Sequence, residues 1–99
     1  MQRLRFAQTS CQHFEQGYYV AHREIAQREF DFVLFLGDYI YEYAAAANPV
    51  RLPTGGWVTS LSDYRNRYAL HKSEKSLQAM HARCPWLVTW DDHEVSNDY

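Results

Sequence analysis

Apolar positions along this chain fall into short runs of two different periods. Leu4 to Thr9 alternates apolar and polar side chains, the period-two pattern of a strand, and Ser10-Cys11-Gln12 follows it. Between Tyr18 and Phe30, Tyr18, Ala21, Ile25 and Ala26 recur close to helical spacing, while Arg23, Glu24, Arg28 and Glu29 fill much of the remainder. That spacing predicts an amphipathic crossover helix. Phe32-Val33-Leu34-Phe35-Leu36 is uninterrupted and stops at Gly37-Asp38. So short and apolar a run reads as a strand buried on both faces, as in a parallel sheet covered by helices. Ser60 or Ser62 is placed to cap a helix through about Lys72, with Leu61, Tyr64 and Tyr68 on one face. A further helix is expected over 74–83, with Leu77, Met80 and Cys84 inward and Pro85 ending it. Trp86 to Trp90 is a third short apolar strand, and Asp91-Asp92-His93-Glu94 follows at once.

Strand, helix and strand in that order make a βαβ unit with a right-handed crossover. The predicted fold class is therefore α/β: a βαβ-type parallel sheet with crossover helices. Residues 44–59 break the pattern with an alanine run, then Asn48-Pro49, Pro53 and Gly55-Gly56, and read as an exposed loop. No internal repeat interrupts this scheme. Parallel strands share one carboxyl edge, where open α/β sheets place their ligands. Cys11, Asp38 with Tyr41, and Asp91-Asp92-His93 each follow a predicted strand, so residues distant in sequence are expected to converge there.

Composition narrows the class without naming the chemistry. Ninety-nine residues are at most one small domain, and the 46% hydrophobic and 16% aromatic shares suffice for a packed core. The net charge of −2 is scattered, which argues against a nucleic-acid-binding surface or a polybasic membrane patch. No apolar run approaches the roughly 18 residues of a membrane span. Nor does the start, Met1 to Phe6, lead into an apolar segment of a signal peptide. Cys11 and Cys84 sit in such different settings that no disulfide is expected.

The donors expected at the sheet edge suit metal chemistry. Carboxylates bind hard cations and can bridge two of them, whereas phenolate and thiolate favour a more Lewis-acidic ion. A ferric ion fits Tyr41 and Cys11 better than magnesium does. Two cations roughly 3.5–4 Å apart would activate water and clamp an in-line phosphoryl displacement. His93 is then a candidate proton donor to the leaving oxygen or contact to the phosphoryl group, and Glu94 a candidate to orient its ring. Taken singly, each residue has a plainer role: Cys11 as a small buried hydrophobe, Asp38 as a turn residue, Tyr41 as packing, and the acidic cluster as a solvated loop. His13, His22, His71 and His81 carry no partner pattern and are expected at the surface or at caps. Trp57, Tyr64 and Tyr68 are expected in the core or a pocket wall.

Ser10-Cys11-Gln12, Gly37-Asp38-Tyr39-Ile40-Tyr41-Glu42 and Thr89-Trp90-Asp91-Asp92-His93-Glu94-Val95, in this order and spacing, resemble the alkaline phosphatase D family of PhoD-like metallophosphatases. Tyr64-Arg65-Asn66-Arg67-Tyr68 and Cys84-Pro85-Trp86 fit the same pattern. The resemblance implies metal-dependent hydrolysis of phosphate monoesters or diesters at a dinuclear centre. It implies that Asp38 bridges the metals, that Tyr41 and Cys11 bind Fe(III), and that Asp92 binds a second metal, Ca2+. By the same resemblance His93 contacts phosphate, and Asn97 is a further possible ligand. Residues 1–99 would be the amino-terminal part of a catalytic domain, half of a metallophosphatase-like α/β sandwich. Members of the family carry later Asp and His ligands and are exported, so little turnover and marginal stability are expected of the 99 residues alone. The competing readings are a related dinuclear hydrolase of nucleotides or phospholipids, and a non-catalytic metal-binding fragment.

Overall fold

The structure, a computed structural model, describes residues 3–44 and 47–99. Ala45 and Ala46, in the predicted loop, lie outside the described residues, as do Met1 and Gln2. The elements run β1 (Phe6–Thr9), α1 (Val20–Ala26), β2 (Phe32–Phe35), α2 (Leu61–Lys72), α3 (Lys75–Arg83) and β3 (Trp86–Val88), followed by a 3-10 turn over Asp92–Glu94. The strands form one sheet in the order β1-β2-β3, and both pairings are parallel. Phe6 faces Phe32 in register, and Val33 faces Trp86. The α/β class with crossover helices is what the alternating periods called for.

Burial is one-sided. Ala7 and Val33 pack with Met80 against Ile25, Ala26 and Phe30, so α1 and α3 cover this face of the sheet. Next to it, Phe35, Ile40 and Leu77 pack with Tyr19 and Tyr39, and Tyr64 and Tyr68 of α2 close the cluster. On β2, Val33 and Phe35 are buried while Phe32 and Leu34 are only half-buried. The expected burial on both faces is therefore met on one. Leu87, Val88 and Trp90 are exposed at 57%, 65% and 75%, because nothing among the described residues covers that edge and face.

The helix termini follow their sequence signals. Ser60 caps α2: its hydroxyl accepts from the Asp63 amide while Asp63 accepts from the Ser60 amide, a reciprocal capping box. Glu74 caps α3 through the Leu77 amide. The inward faces differ from those predicted. Tyr18 and Leu61 are exposed, at 66% and 65%, and His22 on α1 and Arg67 and His71 on α2 turn inward instead. Counting apolar side chains alone could not anticipate this, since each of these polar groups is buried through hydrogen bonds that come from outside its own helix or from its backbone. Both cysteines are free.

Candidate metal centre

The first two strands deliver their donors through locally strained backbone. Cys11 and Asp38 both adopt positive φ, 57° and 55°, a region where side chains other than glycine and asparagine are uncommon. Two bonds couple these turns: the Cys11 amide donates to the Gly37 carbonyl and the Gln12 amide to the Asp38 carbonyl, each at 3.0 Å. Gly37 has φ of 98°, and a Cβ there would lie 2.4 Å from the Asp91 nitrogen. Glycine is needed at this point for its conformation and because the β3 loop passes directly against it.

Glu94 staples the same crossing. Its carboxylate accepts from the amides of Asp38 at 3.1 Å, Tyr39 at 2.5 Å and Asp91 at 2.8 Å. Glu94 was expected to orient His93, but the structure gives it to the backbone. The residue on His93 is Glu42, whose Oε2 lies 2.8 Å from Nδ1, with both side chains nearly sealed from solvent. The other Glu42 oxygen accepts from the Asn97 amide at 2.8 Å. Nothing in the sequence pattern separated Glu42 from its neighbours, because its role depends on how the loop after β2 coils back.

The four predicted metal ligands and His93 meet at Asp38. Asp38 Oδ2 lies 3.5 Å from the Cys11 sulfur and 3.3 Å from the Tyr41 hydroxyl, both donating to it. Asp38 Oδ1 faces the other way and accepts from the His93 amide at 3.4 Å. Asp38, Asp92 and His93 each offer an atom within 4.8 Å of one another. Asp92 also accepts from the Asp98 amide, and the Asn97 side-chain amide is turned to Asp98. Cys11 is exposed rather than a buried hydrophobe, and Tyr41 is buried.

The electrostatics are those of crowded acidic donors beside a single histidine. Burial raises the Asp38 carboxyl, against the hydrogen bonds from Cys11 and the His93 amide. Burial and then the neighbouring Asp38 charge raise the Tyr41 phenol. Burial would raise Glu42 and lower His93, but their mutual hydrogen bond prevails, so Glu42 is lowered and His93 raised. The protons that Cys11 and Tyr41 lend to Asp38 are the ones a cation would displace. A thiol, a phenol and two carboxylates brought together from three chain segments fit a cation better than they fit each other.

Buried polar side chains behind this rim hold it in place. Gln12 is buried, donates to the Tyr39 carbonyl at 2.9 Å and lies 2.8 Å from His22 Nε2. His13 packs at a tilt against Tyr41, with ring centroids 4.2 Å apart, and reaches the Tyr43 hydroxyl at 3.1 Å. Arg67 is buried and donates to the carbonyls of Tyr41, Tyr43 and Gly56, tying both ends of the long β2–α2 connection to α2. His22 and His71, expected at the surface, are buried, and burial lowers each to about 4. Trp57 is 63% exposed and stands outside the core, against Tyr43.

The profile of the PhoD-like phosphatases matches residues 6–99. The chain belongs to the PhoD-like phosphatase family. It is 46% identical over 101 residues to alkaline phosphatase D of Bacillus subtilis (strain 168), a match covering 97% of this chain and 17% of that protein. A solved structure of PhoD superposes with a TM-score of 0.92 at 46% identity, over 97% of this chain and 19% of the solved one. The chain thus spans less than a fifth of the length of these PhoD-like relatives.

Proposed function

We propose that these residues are the amino-terminal part of a PhoD-like catalytic domain and contribute to a dinuclear centre that hydrolyses phosphate monoesters or diesters. In this reading Cys11 and Tyr41 hold Fe(III), Asp92 holds Ca2+, and Asp38 bridges the two. The observation that carries it is the division of Asp38: Oδ2 faces the sulfur and phenol donors, and Oδ1 faces the Asp92–His93 turn. A carboxylate so divided is suited to serve two cations at once.

The cations would supply Lewis acidity toward a phosphoryl oxygen and a nucleophile at neutral pH. The chain's own residues account for the rest. His93, with Nδ1 engaged by Glu42, offers Nε2 to a phosphoryl or leaving oxygen. The raised pKa of His93 keeps it cationic further toward neutral pH, as stabilisation of a phosphoryl charge requires. Glu94 and Gly37 keep the Asp38 turn from relaxing to an ordinary backbone conformation.

Metal content after equilibration with ferric and calcium ions tests the assignment. Asp38→Asn is expected to weaken both cations, Cys11→Ser iron alone and Asp92→Asn calcium alone. Loss of iron with Asp92→Asn and none with Cys11→Ser would contradict it.

A further inference from the structure

The Glu42–His93 pair carries a role that neither residue shows in the sequence. Glu42 is 3% exposed and His93 8% exposed, and their side chains meet at 2.8 Å through Oε2 and Nδ1. The ring of His93 is boxed by Tyr41, with centroids 4.2 Å apart, and by Tyr43 at 5.5 Å. The second Glu42 oxygen is taken by the Asn97 amide, and the Glu42 carbonyl accepts from Val58 at 2.7 Å. Arg67 pins the carbonyls on either side, those of Tyr41 and Tyr43. The carboxylate therefore has almost no freedom to move away from the ring.

An acceptor-only group fixed on Nδ1 decides which ring nitrogen holds the proton. We infer that Glu42 is a positioning residue: it holds the proton on Nδ1 of the His93 ring and so fixes Nε2 as the atom presented at the site, a proton acceptor in the neutral ring and an N–H donor to a phosphoester oxygen in the cationic one. No described residue bonds Nε2, which agrees with its being the working atom. This inference rests on His93 serving the proposed phosphatase site. It adds that His93 depends on a carboxylate from a different loop for its tautomer and its aim.

The near-isosteric Glu42→Gln variant separates this role from a packing role. Its amide has one acceptor oxygen for two claimants, the Asn97 amide and the His93 ring, and its NH2 group must then face one of them. Long-range proton–nitrogen NMR of the chain, at a pH where the ring is neutral, reads the tautomer of His93 directly. The unsubstituted chain is expected to show a pyrrole-like Nδ1 and a pyridine-like Nε2. In Glu42→Gln with dispersed amide signals, the two forms are expected to mix or invert, and Glu42→Asp is expected to lie nearer the unsubstituted chain. An Nε2–H ring in the unsubstituted chain, or an unchanged ring in a folded Glu42→Gln chain, would overturn the inference. Iron and calcium uptake by the same unsubstituted sample tests the dinuclear reading separately. Failure there would leave the ring signals intact, whereas an unchanged ring in a chain that takes up both metals would count against Glu42 alone.

Discussion

Gly37 and Asp38 concentrate the demands of the site into two residues. The first must turn with φ of 98° under the passing Asp91 backbone, and the second must hold φ of 55° while aiming its oxygens at two neighbouring sets of groups. For Asp38, which unlike Gly37 carries a Cβ, such a φ costs on the order of 1–3 kcal/mol and persists only where surrounding bonds over-determine it. Glu94 supplies those bonds to the Asp38 and Tyr39 amides. Gly37→Ala is expected to lower stability by at least about 2 kcal/mol in urea unfolding, and to weaken iron uptake. Gly55→Ala, at a positive φ in open space, is expected to cost less and to leave uptake unchanged. At this scale the sequence was informative about placement where a candidate residue follows a strand closely, as Cys11, Asp38 and Asp92 do. It was uninformative for Glu42, whose partnership with His93 spans a separation of 51 residues and depends on the path of the intervening loops.

The elements tell a similar story at longer range. Period and breaker residues placed three strands and three helices in the right order, because strand and helix periodicity, the Ser60 cap and the Pro85 stop are local features of sequence. The helix faces were less legible, since α1 and α2 each turn a histidine inward. His22 and His71 are buried and lowered to about 4, so each is kept neutral in the fold. A histidine with a depressed folded pKa contributes fully above its unfolded value near 6.5 and loses that contribution as pH falls toward 4. The loss is roughly 2–3 kcal/mol for each by pH 4. His93 works in the opposite sense, since its raised value favours the fold as acid is added. Urea midpoints at pH 7 and 4.5 are expected to fall steeply for the unsubstituted chain and more shallowly for His22→Gln with His71→Gln. Equal slopes would contradict the buried-neutral assignment. Ser60→Ala is expected to cost about 1 kcal/mol, by the same unfolding measurement, without altering metal affinity. Arg67→Met is expected to lower both, because it leaves the Tyr41 and Tyr43 carbonyls unpaired beside the site.

The whole molecule is an open sheet covered on one face, with a rim of donors at its carboxyl edge. Its radius of gyration, 14.1 Å, exceeds the about 13 Å usual for a chain of this length, as an uncovered sheet would lead one to expect. Leu87, Val88 and Trp90 stay exposed, so the 99 residues by themselves are expected to associate at high concentration and to unfold at low urea. Four proposed donor side chains are also fewer than two cations need, and turnover of a nitrophenyl phosphate by these residues alone is expected to stay near background. The central claim is that separate loops deliver Cys11, Asp38, Tyr41 and Asp92 to shared cations, with Tyr41 on iron. Visible absorbance during titration with ferric ion reads it most directly. A charge-transfer band that Tyr41→Phe abolishes is the predicted result; a ferric-loaded chain without colour, or a band unmoved by Tyr41→Phe, would contradict the account.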